Sequence, residues 1–281
     1  MAQLVEHHLA KVRVAGSNPV VRSIVKIRQR GGRLLLVSLC AWFVAACGVA
    51  DSAAQPLVIA AASDLRDVFG EFAAELVDSD VGEVSFVFGS SGMLREQILN
   101  GAPYDVYVSA NVDFVEDVIA AGRVLTAAPV VYAVGGLALV AADGRDLDSF
   151  ARTVRSADRI VIAQPRHAPY GVAARQALER ASLWSEVASR VVYADNVADA
   201  VRIVDSGEVD VGLVARSLVI DRPHVVVDPT LYDPLRQAAV ALRGNRQARA
   251  EAFIDELRTD SARRLLDRYG FATDLATIMG G

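Results

Sequence analysis

Residues 84–110 read VSFVFGSSGMLREQILNGAPYDVYVSA, and their pattern decides the fold. Val84–Phe88 is a β-rich apolar run that ends in Gly89-Ser90-Ser91-Gly92. A helix is predicted from about Met93 to Leu99, stopped by Asn100-Gly101, and Val106–Ser109 restores the strand pattern. A strand, a turn of small polar residues, a helix and a second strand form one unit of a parallel α/β sheet.

Working toward the N-terminus, Leu57–Ala61 predicts a buried strand, and Leu65, Val68, Phe69, Phe72 and Leu76 mark one face of the helix after it. Toward the C-terminus, Val112, Val115, Val118 and Ile119 stripe a third helix. Leu137–Ala142 opens a new stretch, with further strands predicted at Ile160–Ala163, Val191–Tyr193, Val211–Val214 and Val225–Val227. Ala238–Leu242 is the last predicted strand. It is followed by one helix carrying Ala250, Phe253, Ile254 and Leu257 and another carrying Leu265, Leu266 and Tyr269. No Gly/Ser linker divides the chain, so the pattern leaves two α/β lobes or one larger sheet open.

The 281 residues are 53% hydrophobic and 22% charged, which excludes disorder, and a formal net charge of -5 offers no basic field for nucleic acid. The first fifty residues differ from the rest. Both lysines, Lys11 and Lys26, lie there, and Arg28, Arg30 and Arg33 precede an apolar run from Leu34 to Ala46. A charged segment and a short apolar run make an export signal, too short to span a bilayer. The run stops at Val44-Ala45-Ala46-Cys47-Gly48, which resembles a lipobox. Residues 1–46 are therefore expected to be a removed signal peptide, and 47–56 a lipidated Cys47 with a short tether. Residues 1–23 resemble a translated tRNA gene, and translation is expected to start near Val25. The only other cysteine is Cys40, so no disulfide framework or cysteine-rich zinc site is expected beyond Cys47.

Candidate chemistry sits at the strand-to-helix turns. Ser63 ends the first strand and Ser90-Ser91 the second, each before a helix whose free N–H groups point at the ligand edge of an open sheet. Each serine either caps its helix or donates to an anion. Pro169-Tyr170-Gly171 repeats the arrangement, and so does Asn196-Val197, with Asn196 as N-cap and Asp199 reaching back. Tyr170 either offers a phenol and an N–H or packs the turn. No H-E-x-x-H, G-x-S-x-G or phosphate-binding glycine loop occurs. His167 reads as a surface loop residue, and Asp64 and Asp67 as exposed carboxylates at a helix start.

AAASDLRDVF (60–69), FGSSGMLREQILNGAPYDVYVSA (88–110), HAPYGVAARQAL (167–178), NVADAVRIVDSGEVDVGLV (196–214) and RYGFAT (268–273) stand in this order. Taken together they resemble the periplasmic molybdate-binding proteins of ABC importers, over essentially all of Leu57 to Phe271. The resemblance implies an α/β, two-lobed type II periplasmic-binding-protein fold with the ligand cleft between the lobes. Residues 57–135 and 238–281 would form one lobe and 136–237 the other.

It also implies a tetrahedral dianion, molybdate or tungstate, held by neutral donors. These would be the hydroxyl and N–H of Ser63 and of Ser91, with Ser90 beside it, and the N–H groups of Tyr170 and Val197. No protein atom would coordinate a metal, and no cofactor or catalytic residue is expected. Some relatives donate a tyrosine hydroxyl where this chain has Ala215, so Tyr170 is expected to supply a phenol to the anion from the opposite turn. Asp64 is expected to face away, because a carboxylate acceptor in the cleft would suit protonated phosphate instead. The implied partners are an importer permease and, through Cys47, the outer face of the cytoplasmic membrane, with the protein a monomer. The competing readings are a receptor for another oxyanion such as sulfate, or a two-lobed enzyme acting on an anionic metabolite.

Overall fold

β1 (Leu57–Ala62) is apolar at every position and almost wholly buried, which is how a central parallel strand covered on both faces reads. The structure, a computed structural model, describes residues 55–125, 128–144, 147 and 149–274. The export signal, the start near Val25, Cys40 and the lipidation of Cys47 lie outside the described residues.

After β1 come α1 (Arg66–Leu76), β2 (Val84–Gly89), α2 (Ser91–Leu99), β3 (Val106–Ser109) and α3 (Val112–Ala120). β4 (Val130–Gly135) leads across Gly136 into β5 (Leu137–Ala141), followed by α4 (Phe150–Ser156), β6 (Ile160–Ala163) and α5 (Pro169–Arg180). Then come α6 (Trp184–Val187), β7 (Val191–Ala194), α7 (Val197–Asp205), β8 (Val211–Ala215) and β9 (Val225–Val226). β10 (Leu235–Ala241), α8 (Gln247–Glu256) and α9 (Asp260–Arg268) complete the described chain.

The strands form two sheets, ordered β2-β1-β3-β10-β4 and β7-β6-β8-β5-β9. In the first, β1 runs parallel to β2 and β3, while β10 is antiparallel to β3 and β4. In the second, β6 runs parallel to β7 and β8, while β5 is antiparallel to β8 and β9. The chain thus passes from one sheet to the other at Gly136 and returns at β10.

Two differences from the sequence reading bear on how the lobes are joined. β10 begins at Leu235 rather than Ala238, so Leu235, Arg236 and Gln237 pair with β4 and belong to the first sheet. β4 was not predicted, because Val130–Gly135 mixes buried and half-buried positions without a regular period on a sheet edge and runs almost directly into the stronger signal of β5.

The first lobe has an aromatic centre that explains the return of the C-terminal helices. Phe69 of α1 lies 5.3 Å from Phe86 of β2 and 5.9 Å, edge-on, from Phe253 of α8. Such pairs contribute about 0.5–1.5 kcal/mol each beyond their buried area. α8 therefore docks on the lobe that begins the described chain.

Candidate functional site

The ends of β1, β2 and β6 and the start of α7 meet where the two lobes face each other. There Ala62, Ser63, Asp64, Gly89, Ser90, Ser91, Ala110, Ala168, Pro169, Tyr170 and Val197 line a small cavity. Ser63, Ser91, Tyr170 and Val197, far apart in sequence, share this lining with Ser90.

Each donor is positioned by its local structure. Ser63 opens a single 3-10 turn at the end of β1, and no hydrogen bond occupies its hydroxyl among the described residues. Ser91 is the first residue of α2, where the N–H groups have no partner within the helix. Its hydroxyl oxygen accepts from Ala110 N at 3.1 Å, which leaves the hydroxyl proton to donate into the cavity.

Tyr170 follows Pro169 at the start of α5, and its N–H is likewise outside the helical ladder. α5 approaches β6 so closely that a Cβ at Gly171 would overlap the Ala163 carbonyl, so only glycine holds Tyr170 N at this depth. Val197 opens α7. Asn196 accepts from Ala198 N and Asp199 N at 3.0 Å each, so the cap leaves Val197 N–H uncommitted.

Ser90 has a different task. It caps α2, accepting from Met93 N at 3.4 Å, and it donates to the His167 carbonyl of the other lobe at 3.0 Å. Its oxygen is also 2.8 Å from His167 Nδ1. One hydroxyl has one proton, so with that proton on the carbonyl it is Nδ1–H that donates to Ser90. His167 reads as a loop residue in sequence, yet with Gly92 N donating to its carbonyl at 2.9 Å it forms one clasp between the lobes. Its imidazole pKa lies below the ordinary value through burial. Ser217 donates to Asp64 O at 2.7 Å and forms the other.

Asp64 overturns one expectation. Asp64 is 1% exposed, not an exposed helix-start acid, and it lines the cavity. It is buried because β1 ends beneath the second lobe, whose Ser217 and Tyr170 cover the turn. Its Oδ2 accepts from Gln237 Nε2 at 2.9 Å. Burial pushes its pKa from 3.8 up to about 7, against the lowering effect of the nearby Tyr170 phenol, its own backbone and Gln237.

The Tyr170 hydroxyl lies in this buried cluster, close to Gly135 and Gln237, and Tyr170 itself lines the cavity. Neither that hydroxyl nor Asp64 Oδ1 makes a well-formed hydrogen bond, and the same holds for Tyr132 OH and Gln237 Oε1. Tyr132 and Gln237 carried no functional signal in the sequence, since one sits in the unpredicted β4 and the other just outside the predicted extent of β10. Among the described residues no cluster of three or more His, Cys, Asp or Glu is placed to hold a metal ion.

Residues 57–272 match the family of bacterial extracellular solute-binding proteins. The chain is 29% identical over 228 residues to the molybdate-binding protein ModA of Rhodobacter capsulatus, covering 79% of this chain and 90% of that protein. It is 29% identical over 247 residues to ModA of Azotobacter vinelandii, covering 84% and 96%. The solved structure of the periplasmic molybdate-binding protein of Azotobacter vinelandii superposes with a TM-score of 0.73 at 28% identity, covering 78% of this chain and 99% of that one. Two α/β lobes closing on a cavity of helix-start donors, with a match over most of the described residues, assign this chain to the bacterial extracellular solute-binding protein family.

Proposed function

We propose that the protein is an extracytoplasmic receptor that captures molybdate, binds tungstate comparably, and delivers the anion to an ABC-type importer. The observation that carries this reading is the convergence of Ser63, Ser91, Tyr170 and Val197 on one buried cavity. Relatives that it matches over most of their length are molybdate-binding proteins. Tungstate has the same charge and nearly the same size.

Burying a dianion without a counter-charge is costly unless its hydration is replaced. Aimed N–H and O–H donors do this, and hydrogen bonds to a charged group contribute about 1.5–3 kcal/mol each. Binding rather than catalysis is the task. The clasp serine, Ser90, faces a histidine nitrogen, but its hydroxyl is taken up by capping α2 and by the His167 carbonyl. Cys47 would be diacylated, because one acyl chain anchors only marginally, and this would keep the receptor beside its permease.

Asp64 in the lining favours a second reading, a protonated oxyanion such as hydrogen phosphate, whose hydroxyl an ionised carboxylate would accept. Isothermal titration of the full chain with molybdate, tungstate, sulfate and phosphate decides between them. Tight one-to-one binding of the first two alone is expected. A preference for phosphate or sulfate overturns the ligand, and silence from all four overturns the receptor.

A further inference from the structure

We infer that Asp64 is the specificity-determining residue of this site: it stands as a neutral acid beside the captured dianion, so that binding takes up one proton and the lining presents donors only. This rests on the oxyanion reading above and goes beyond it.

The hydrogen-bond arrangement points the same way. Asp64 Oδ2 accepts from the Gln237 amide, while Asp64 Oδ1 and Gln237 Oε1 are both buried and unpartnered. An ionised carboxylate and an amide oxygen are both acceptors, so neither can satisfy the other. Protonation turns one of the two carboxyl oxygens from an acceptor into a donor. The Tyr170 phenol also lies within hydrogen-bonding influence of the carboxyl, but it and the Gln237 amide do not outweigh the cost of burying the charge.

Electrostatics adds to this. The titratable groups that influence the carboxyl are the phenols of Tyr170 from α5 and Tyr132 from β4. On α1, Arg66 and Asp67 are exposed. On α7, Asp199 pairs with Arg202, and its neighbours toward the turn are Val197 and Ala198. Arg216, on the turn after β8, lies against Gly136 and Gly270. No ion pair to Asp64 exists among the described residues, so nothing offsets the repulsion between an ionised Asp64 and a dianion in the same cavity. When two like charges share a site, one is neutralised. Molybdate keeps no proton at neutral pH, which leaves Asp64 to take it. A neutral Asp64 also removes the only carboxylate acceptor from the lining, and with it the hold on a protonated phosphate.

The test is titration of the full chain with sodium molybdate in buffers of different ionisation enthalpy, from about pH 7 to about pH 9, for wild type and Asp64→Asn. Wild type is expected to take up close to one proton at the upper end, with affinity falling roughly tenfold per pH unit. Asp64→Asn is expected to bind with no proton uptake and a flat profile. Wild-type infrared difference spectra provide a measurement independent of the variant's folding: molybdate should raise a protonated-carboxyl C=O band. Molybdate binding with no proton uptake and no such band overturns the inference, as does linkage that persists in Asp64→Asn, which would assign it to His167. Absence of molybdate binding at every pH overturns the receptor reading and this inference with it.

Discussion

Ser91 shows how a single side chain is aimed. The Ala110 N–H fills one acceptor position of its hydroxyl oxygen at 3.1 Å, and the remaining proton has the cavity to donate into. Ser91→Ala is expected to weaken molybdate binding by roughly ten- to hundredfold, the value of one hydrogen bond to a charged group, with unfolding little changed. Titration calorimetry beside urea denaturation separates the two effects. Asp64 carries a pH signature in stability as well. Its folded-state pKa is raised from 3.8 to about 7, so between those values the folded protein holds a proton that the unfolded chain has shed. The stability it contributes is fully present below the ordinary carboxylate range and is lost as pH rises through about 7, to an extent on the order of 4 kcal/mol. Ligand-free urea denaturation at pH 5 and pH 8 should therefore show wild type losing stability relative to Asp64→Asn at the higher pH. Ser63, Ser91, Tyr170 and Val197 were legible in sequence because each follows a strand-to-helix turn with its own local signal. The burial of Asp64 was not, since a helix-start acid looks the same whether solvent or a second lobe covers it.

At the scale of elements, helix starts do the work that charges do elsewhere. α2, α5 and α7 each point their first N–H groups at one cavity, and the side-chain caps on α2 and α7 satisfy some of those groups while leaving others open. The helix stripes and most strands were readable from periodicity. The hinge strands were less so: β4 was hidden against β5, and β10 starts three residues before its apolar run. β4 is a partly covered edge strand without a clean pattern, and Arg236 and Gln237 interrupt the apolar run of β10. The contact of α2 with the opposite lobe gives an element-level test. A Cβ at position 92 would lie 2.7 Å from His167 O, whose bond from Gly92 N closes the lobes. Alanine is favoured over glycine within a helix, so Gly92→Ala should leave the stability of α2 intact or improve it. Its cost falls on closure, about 1–3 kcal/mol of overpacking, and molybdate affinity should drop by one to two orders of magnitude. Unchanged affinity in calorimetry would show that the clasp does not govern capture.

The whole molecule is two sheets joined at Gly136 and at β10, with Ser90–His167 and Ser217–Asp64 clasping them over the site. The proposed tether depends on Cys47. Cys47→Ala is expected to move the protein from the membrane fraction to the soluble fraction of fractionated cells while leaving molybdate affinity unchanged; retention at the membrane would remove the lipid anchor. The absence of a tyrosine at Ala215 raises a question only the assembled molecule answers. The Tyr170 phenol ends among Asp64, Gln237 and Gly135. The sequence by itself determined the alternating α/β architecture and the donor turns, because these depend on periodicity and on residue types a few positions apart. Tertiary structure alone decided that Asp64, Tyr132, Tyr170 and Gln237 form one buried cluster and that His167 reaches Ser90. Those contacts join residues up to 173 positions apart. Their energies arise from water excluded when two lobes close, a quantity with no local imprint on the chain.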